Sequence, residues 1–263
     1  MSAPVAPGRA PLLEVTGLSK RFAGVQALRD VSFRVDAGTI LGLFGPNGAG
    51  KTTCFHCLSG VLRPDTGRVR FAGRDVTGAP PHVMARLGLG RTFQIVRPFR
   101  RLTALDNVVV ALGRAHYRGL GALVRRARQP ADLARARELL ARVGLADVAD
   151  RPAGVLPLGV LRRLEVARAL ALSPRLLLLD EPLGGLAPEE AAALASLIGS
   201  LRDEGLSVVL IEHHMRLAMA LADAVVVLDH GEKIAEGPPA VVRRDPRVIA
   251  AYLGQAEGEQ ARA

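Results

Sequence analysis

A glycine-rich stretch near the N-terminus has the spacing of a phosphate-binding loop. It reads Gly45-Pro-Asn-Gly-Ala-Gly-Lys51-Thr52, follows the apolar run 39–44 and precedes a helical pattern, which is the context that the motif G-x-x-x-x-G-K-[ST] requires. Glycines let successive backbone N–H groups point at an anion, and the N-terminus of the next helix adds positive potential. Lys51 is expected to reach the β- and γ-phosphates of a nucleotide, and Thr52 to ligate Mg²⁺. The predicted contacts to the nucleotide are Gly45, Pro46, Asn47, Gly48, Ala49, Gly50, Lys51, Thr52 and Thr53.

A pair of carboxylates follows another apolar run. The sequence Leu176-Leu-Leu-Leu-Asp180-Glu181 predicts a buried strand that delivers Asp180 at its carboxyl end, where open α/β sheets bind their ligands. We expect Asp180 to hold Mg²⁺ through water, and Glu181 to orient an attacking water or act as its general base. A simple turn after a strand is the alternative interpretation, which the phosphate-binding motif in the same chain disfavours.

Two cysteines raise a separate possibility. Cys54 and Cys57 form C-x-x-C, which can indicate a redox pair or half of a zinc site. No second Cys/His pair stands at metal spacing, and both residues fall in the helix predicted after the phosphate loop. We therefore interpret them as small apolar residues on one face of that helix.

These candidate residues need a sheet whose strand ends meet. Short β-like runs alternate with longer helical patterns, as is typical of a parallel sheet with crossover helices. The alternating runs 12–16 and 31–35 predict an antiparallel edge. Buried strands are predicted at 39–44, 176–179, 208–211 and 225–228. The fold class is therefore predicted to be α/β.

Helical spacing replaces this rhythm between residues 96 and 155. Leu133, Ala136, Leu140 and Val143 recur on one helical face, and Gly144 stands where a C-terminal cap is expected. We predict one domain over 12–255, with a core of 12–95 and 156–235, an inserted helical subdomain of 96–155, a C-terminal extension of 236–255, and flexible tails at 1–11 and 256–263.

Composition limits the location more than it limits the partner. The chain has 263 residues and 49% hydrophobic content, but no run approaches the roughly 20 apolar residues of a membrane-spanning helix. Residues 1–11 do not resemble a signal peptide, so we expect a cytoplasmic protein. The formal net charge of +10 favours anionic partners. An arginine-rich solvated surface accounts for the same charge, so charge alone selects no partner.

The order of these motifs resembles that of the ABC ATPase family over nearly the whole chain. The resemblance implies a P-loop NTPase (RecA-like) core with an antiparallel β edge subdomain and an inserted helical subdomain. It also implies that ATP and Mg²⁺ bind, and that Gln94 in Arg91-Thr-Phe-Gln94 contacts Mg²⁺ and water and links the site to membrane subunits. His213 corresponds to the histidine that senses the γ-phosphate, and Phe22 to the aromatic residue that stacks on adenine.

Finer features are similar to one branch of that family, the uptake systems for branched-chain amino acids and related small solutes. They are the stretches 91–100, 162–170 and 246–254. Membership of this branch implies two transmembrane permease subunits, a second ABC ATPase subunit in a head-to-tail dimer, and an extracytoplasmic solute-binding protein. The chain would then lie peripherally on the cytoplasmic side of the plasma (inner) membrane.

The signature of the family, Leu-Ser-Gly-Gly-Gln, is altered here. The chain has Leu156-Pro-Leu-Gly159-Val-Leu161, and Pro157 offers neither a hydroxyl nor an N–H group to a γ-phosphate. Gly159 and the helix after it remain able to bind an anion. Ala187 stands where many cassettes have Asp and this branch often has Asn. We therefore hypothesise a dimer with a non-identical second cassette and two unequal composite sites.

Two other classes of function stay open at this level. A soluble ABC-type ATPase acting on nucleic acid or ribosomes would suit the charge. Such proteins usually carry two cassettes or a long coiled-coil insertion, and the aromatic content of 3% leaves few residues for base stacking, so no nucleic acid partner is expected. A non-hydrolysing nucleotide-binding regulator would suit the altered signature, but the Asp180-Glu181 pair argues against it.

Overall fold

The computed structural model describes residues 11–92, 97–113, 129–212 and 215–252. Its strands, in chain order, are β1 (Pro11–Phe22), β2 (Val25–Asp36), β3 (Ile40–Phe44), β4 (Thr66–Phe71), β5 (Arg74–Asp75), β6 (Leu89–Arg91), β7 (Leu176–Asp180), β8 (Ser207–Ile211), β9 (Ala224–Asp229) and β10 (Glu232–Gly237). The helices are α1 (Lys51–Leu58), α2 (Pro81–Leu87), α3 (Ala104–Gly113), α4 (Pro130–Arg142), α5 (Leu158–Leu170), α6 (Pro188–Asp203), α7 (Met215–Leu221) and α8 (Pro239–Val242).

A six-stranded sheet forms the centre of the described structure. Its order is β10-β9-β3-β8-β7-β6, and every neighbouring pair is parallel except β9 with β10. Strands β3, β7 and β8 are buried along their whole length, because their apolar side chains are covered on both faces, as parallel sheets require. The parallel order brings the carboxyl ends of β3, β7 and β8 to one edge of the sheet.

A second, antiparallel sheet has the order β2-β1-β4-β5. Its buried residues share a core with α1 and one face of the central sheet, and helices α3 to α7 cover the other face. The predicted α/β core, antiparallel edge and helical segment are therefore confirmed. No helix in the described ranges is long and apolar enough to cross a bilayer.

The buried strands predicted from apolar runs are confirmed, as is the antiparallel pairing of β1 with β2. Four strands were missed: β4, β5, β6 and β10. They are short or expose most of their side chains, so their sequences show no apolar run. The predicted helical face at 133–143 belongs to α4, and the Gly144 N–H caps it by donating to the Ala141 carbonyl at 2.9 Å. The domain boundaries stay a prediction.

Candidate functional site

The phosphate loop connects β3 to α1. Gly45 has φ of +145°, and a Cβ atom on it would lie 2.1 Å from the carbonyl oxygen of Leu228, so only glycine fits. The loop ends at Gly50, which has φ of +98° and immediately precedes α1. The backbone N–H groups of the first turn of α1 directly follow the loop and have no partner within the helix, and such groups at a helix N-terminus can bind an anion.

Lys51 is folded back onto the loop in this structure. Its Nζ donates to the carbonyl oxygens of Gly45 at 2.6 Å and Pro46 at 2.8 Å. Burial lowers the pKa of Lys51, and the negative charges of Glu181 and Asp180 oppose that shift. The loop lysine and the carboxylate pair, which are far apart in sequence, therefore lie close enough to interact electrostatically.

Asp180 is the last residue of β7, and its side chain is almost fully buried. Its Oδ2 lies 3.3 Å from Nη2 of Arg91, and Nη1 of Arg91 donates to the Ser59 hydroxyl at 2.7 Å. Burial raises the pKa of Asp180, and Arg91 opposes the rise. Arg91 is thus a member of the site to which sequence reasoning assigned no role. It ends β6, which pairs with β7.

Glu181 has a backbone conformation that is rare for a residue with a side chain. Its φ is +49°, a region that costs roughly 1–3 kcal/mol when surrounding contacts must impose it. Its N–H donates to the Ile211 carbonyl at 2.9 Å, which ties it to the end of β8. The next buried carboxylate, Glu212, accepts the Leu183 N–H at 2.6 Å and fixes the following turn. Backbone strain of this kind, imposed at Glu181 by the surrounding hydrogen bonds, is typical of functional sites.

Two of the three residues predicted to hold Mg²⁺, Thr52 and Asp180, carry side chains of the kind that suits that ion. Thr52 stands exposed in the first turn of α1, and it lines the same cavity as Asp180. A hydroxyl and a carboxylate are the hard oxygen ligands that Mg²⁺ prefers. Thr53, the next residue, is half-buried.

Three other predicted residues are less closely tied to this centre. Phe22 ends β1 with 42% of its surface exposed, and Lys20 Nζ lies 5.6 Å from its ring centroid. Gln94 and His213 lie outside the described residues. The chain reaches them from Thr92, whose N–H donates to the Leu178 carbonyl at 3.0 Å, and from Glu212. Both therefore follow strands that flank β7.

The altered signature forms the start of α5. Pro157 occupies the N-cap, where it makes no side-chain hydrogen bond, and Leu158 is 40% exposed. Gly159 is buried, and a Cβ atom there would lie 2.4 Å from Oε1 of Glu190. The Glu190 carboxylate also accepts the Ala187 N–H at 3.3 Å. An acidic side chain of the same chain thus lies against the helix turn that would face a phosphate. The role of Gly159 in binding stays a prediction.

A cavity of about 760 Å³ opens between the central sheet and helices α3 and α5. Residues of α1, α2, α3 and α5 line it, together with the end of β6. On its α5 wall, Glu165 Oε1 accepts the Arg97 N–H at 3.3 Å, and Arg168 donates to the Arg97 carbonyl at 3.2 Å. Burial raises the pKa of Glu165, and the Arg97 N–H opposes the rise. The backbone N–H and carbonyl groups of Arg97, three residues after Gln94, are therefore held by side chains of α5.

Cys54 and Cys57 are both buried and free in α1. Burial raises the pKa of Cys54, and it raises the pKa of Cys57 to about 11. Thiols with such pKa values are poor nucleophiles near neutral pH. Their burial agrees with the interpretation of these residues as packing residues.

We expect the two thiols to react slowly with 5,5′-dithiobis(2-nitrobenzoate) while the protein is folded. At pH 8 a thiol of pKa 11 is about 0.1% ionised, so reaction should be on the order of 100-fold slower than in denaturant. Absorbance at 412 nm measures the rate, and Cys57→Ser and Cys54→Ser single variants assign it. A thiol that reacts at the same rate in the folded and unfolded protein would contradict the packing interpretation.

Comparison with known proteins agrees with this geometry. Residues 28–184 match the family described as ABC transporter, and residues 232–258 match the family described as branched-chain amino acid ATP-binding cassette transporter. The chain belongs to the ABC transporter family, as one of its ATP-binding, ATP-hydrolysing cassettes.

Two relatives and one solved structure show which members of the family the chain is similar to. It is 43% identical over 254 residues to the high-affinity branched-chain amino acid transport ATP-binding protein BraF of Pseudomonas aeruginosa, covering 94% of this chain and 99% of that protein. Identity to the corresponding protein LivG of Escherichia coli is 43% over 253 residues, with the same coverage. The crystal structure of the ADP conformation of MJ1267, an ATP-binding cassette of an ABC transporter, superimposes with a TM-score of 0.84 at 30% identity, covering 93% of this chain and 99% of that chain.

Proposed function

We propose that the chain energises an ABC importer that takes up branched-chain amino acids or related small solutes. The observation that carries the ATPase part is the meeting of the phosphate loop after β3 with Asp180 and Glu181 at the carboxyl end of β7, at one edge of one sheet. The solute class is supported by the names of BraF and LivG and by the match of residues 232–258.

ATP binding begins at the loop. Backbone N–H groups within residues 47–53 surround the phosphates, and Lys51 turns N–H donors from the Gly45 and Pro46 carbonyls towards the β- and γ-phosphates. Mg²⁺, when bound, neutralises phosphate charge, and Thr52, Asp180 and Gln94 are the residues that would hold it. Phe22, exposed at the end of β1, stacks on the adenine.

Hydrolysis then requires a positioned water. Glu181, held at φ of +49° by its hydrogen bond to Ile211, accepts a proton from that water as the water oxygen bonds to the γ-phosphorus. The bond from that phosphorus to the β–γ bridging oxygen breaks, and ADP leaves. His213, which follows β8 next to β7, contacts the γ-phosphate. Arg91, whose Nη2 lies 3.3 Å from Asp180 Oδ2, favours the ionised form of that carboxylate and so opposes the rise in its pKa that burial causes.

The partners we propose are two permeases, a second cassette in a head-to-tail dimer and an extracytoplasmic solute-binding protein. The cavity beside α3 and α5 suits a short helix of a permease, because its lining is mostly apolar and includes Arg97, with Arg100 and Arg101 following in the chain. Movement of such a helix would reach Gln94 through the Arg97 peptide that Glu165 and Arg168 hold. The chain would then be peripheral to the cytoplasmic face of the inner membrane.

We also propose that the second cassette is not identical to this one. Pro157 and the nearby Glu190 carboxylate weaken the anion site at the start of α5. The stronger composite site would therefore combine Glu181 of this chain with the signature of the other cassette.

The substitution Leu158→Asp tests this asymmetry. An aspartate in the first turn of α5 favours the helix but repels a phosphate. If this signature belongs to the weaker site, ATP turnover of the whole complex should stay within about twofold of wild type. At a working anion site the same substitution should lower turnover about 100-fold. Leu158→Asn controls for the lost apolar contact. A large loss with Asp and none with Asn would show that this signature drives hydrolysis.

The proposed function is tested by purifying the tagged Glu181→Gln chain from native membranes in ATP and Mg²⁺, with mass spectrometry of the retained proteins. We expect two polytopic membrane proteins and a second cassette, and uptake of radiolabelled leucine, isoleucine or valine should fall in cells that lack the gene. The tagged Lys51→Ala chain, in which we expect ATP binding to be weakened, is the control. Recovery of ribosomes or nucleic acid with no membrane protein would favour the soluble ATPase instead.

A further inference from the structure

The C-terminal segment reaches back to the first residue of the phosphate loop. Residues 246–252 are helical, and Asp245 starts this turn by accepting the Arg247 N–H at 2.9 Å. Val248 is buried in the main core, and Tyr252 packs against the same core. From this position the Tyr252 hydroxyl accepts a hydrogen bond from the Gly45 N–H at 2.8 Å.

The peptide groups of Gly45 are therefore held on two sides. Tyr252 accepts from its N–H, and Lys51 Nζ donates to its carbonyl oxygen at 2.6 Å. On the side where a Cβ atom would lie, Gly45 is packed against the Leu228 carbonyl. The ammonium group of Lys51 has three N–H donors, so directing two of them to the β- and γ-phosphates leaves at most one for the Gly45 and Pro46 carbonyls. The hydrogen bonds from Lys51 to the start of the loop are thus weakened when ATP binds, whereas the one that the Gly45 N–H donates to the Tyr252 hydroxyl does not involve Lys51.

We infer that Tyr252 is a positioning residue of the nucleotide site, which keeps the phosphate loop in its binding shape while Lys51 is engaged with ATP. This inference rests on the proposed role of the loop in binding the phosphates. The neutral phenol suits this task, since burial raises the pKa of Tyr252 and an uncharged hydroxyl brings no negative charge towards the phosphates. The C-terminal segment is thus a working part of the ATP site.

The substitution Tyr252→Phe removes the hydroxyl and keeps the ring. In the full-length chain we expect the Kd for ATP, measured by isothermal titration calorimetry, to rise about three- to tenfold, since a buried N–H loses its partner. Turnover at saturating ATP in the assembled transporter should stay within about twofold, because in the proposed mechanism Glu181, and not Tyr252, acts on the attacking water. Hydrogen exchange of the Gly45 amide should become faster in the variant.

Val248→Ala is the matched control, because it loosens the same helix and leaves the hydroxyl in place. If it raises the Kd for ATP as much as Tyr252→Phe does, docking of the helix is what matters, and the positioning role of the hydroxyl is wrong. An unchanged Kd in Tyr252→Phe also overturns the inference. Lys51→Ala distinguishes failure of this inference from failure of the proposed function. If it too leaves the Kd for ATP unchanged, the loop does not bind phosphate and the proposed function fails as well.

Discussion

Replacing Glu181 by glutamine is expected to lower ATP turnover of the assembled transporter by about 100- to 10,000-fold, the range attributed to a general base, while ATP still binds. The amide has the size of the carboxylate but cannot take the proton of the attacking water. The hydrogen bond from the backbone N–H of residue 181 to the Ile211 carbonyl, and the φ of +49° at residue 181, do not depend on the charge of the side chain. The turn after β7 should therefore keep its shape. Release of phosphate from ATP measures turnover, and filter binding of labelled ATP measures affinity.

Glu189→Gln is a suitable control for Glu181→Gln, because Glu189 is an exposed carboxylate in the first turn of α6. It should hydrolyse ATP at the wild-type rate. Should Glu181→Gln retain more than about a third of wild-type turnover, Glu181 is not the base. A loss of ATP binding in the same variant would instead point to a structural role for its charge.

The second large effect is expected from Lys51→Ala. The ammonium group is the only side-chain cation predicted to reach the β- and γ-phosphates, and a hydrogen bond to a charged group contributes about 1.5–3 kcal/mol. The Kd for ATP should therefore rise roughly 10- to 150-fold, and turnover should become undetectable. The Gly45 and Pro46 carbonyls also lose their donor, which adds to the disorder of the loop in the variant.

Lys233→Ala provides the matched control for Lys51→Ala. Lys233 is a lysine of β10 that pairs with Glu236 on the surface, and its loss should change neither affinity nor turnover. Circular dichroism of both variants checks that the fold persists. Tight ATP binding by folded Lys51→Ala would mean that the phosphates do not occupy the loop.

The sequence predicted the centre of this site better than its surroundings. The apolar runs before Gly45 and Asp180 indicated the two strands that carry the chemistry, because such runs are long and fully buried. Strand β4 was missed since its arginines alternate with only two buried residues, Val69 and Phe71. The overall family assignment is confirmed by the comparisons.

Contacts between distant segments could not be predicted from the sequence. The Arg91–Asp180 pair depends on the parallel register that places Arg91 opposite Leu178. The bond from Gly45 to Tyr252 joins residues 207 positions apart. Neither contact leaves a local pattern, because each is created only when strands and helices have packed. The roles of Gln94 and His213 stay predictions, since both lie outside the described residues.

The strand order also has a consequence for how the protein must be made. The loop strand β3 lies between β8 and β9, both formed by residues 207–229, and Gly231 donates to the Ala49 carbonyl at 3.1 Å. During synthesis on the ribosome, the nucleotide loop therefore leaves the exit tunnel long before the strands that flank it exist. The nascent N-terminal part exposes an unpaired apolar strand during that interval, and a fragment ending at residue 184 would be expected to aggregate rather than bind ATP.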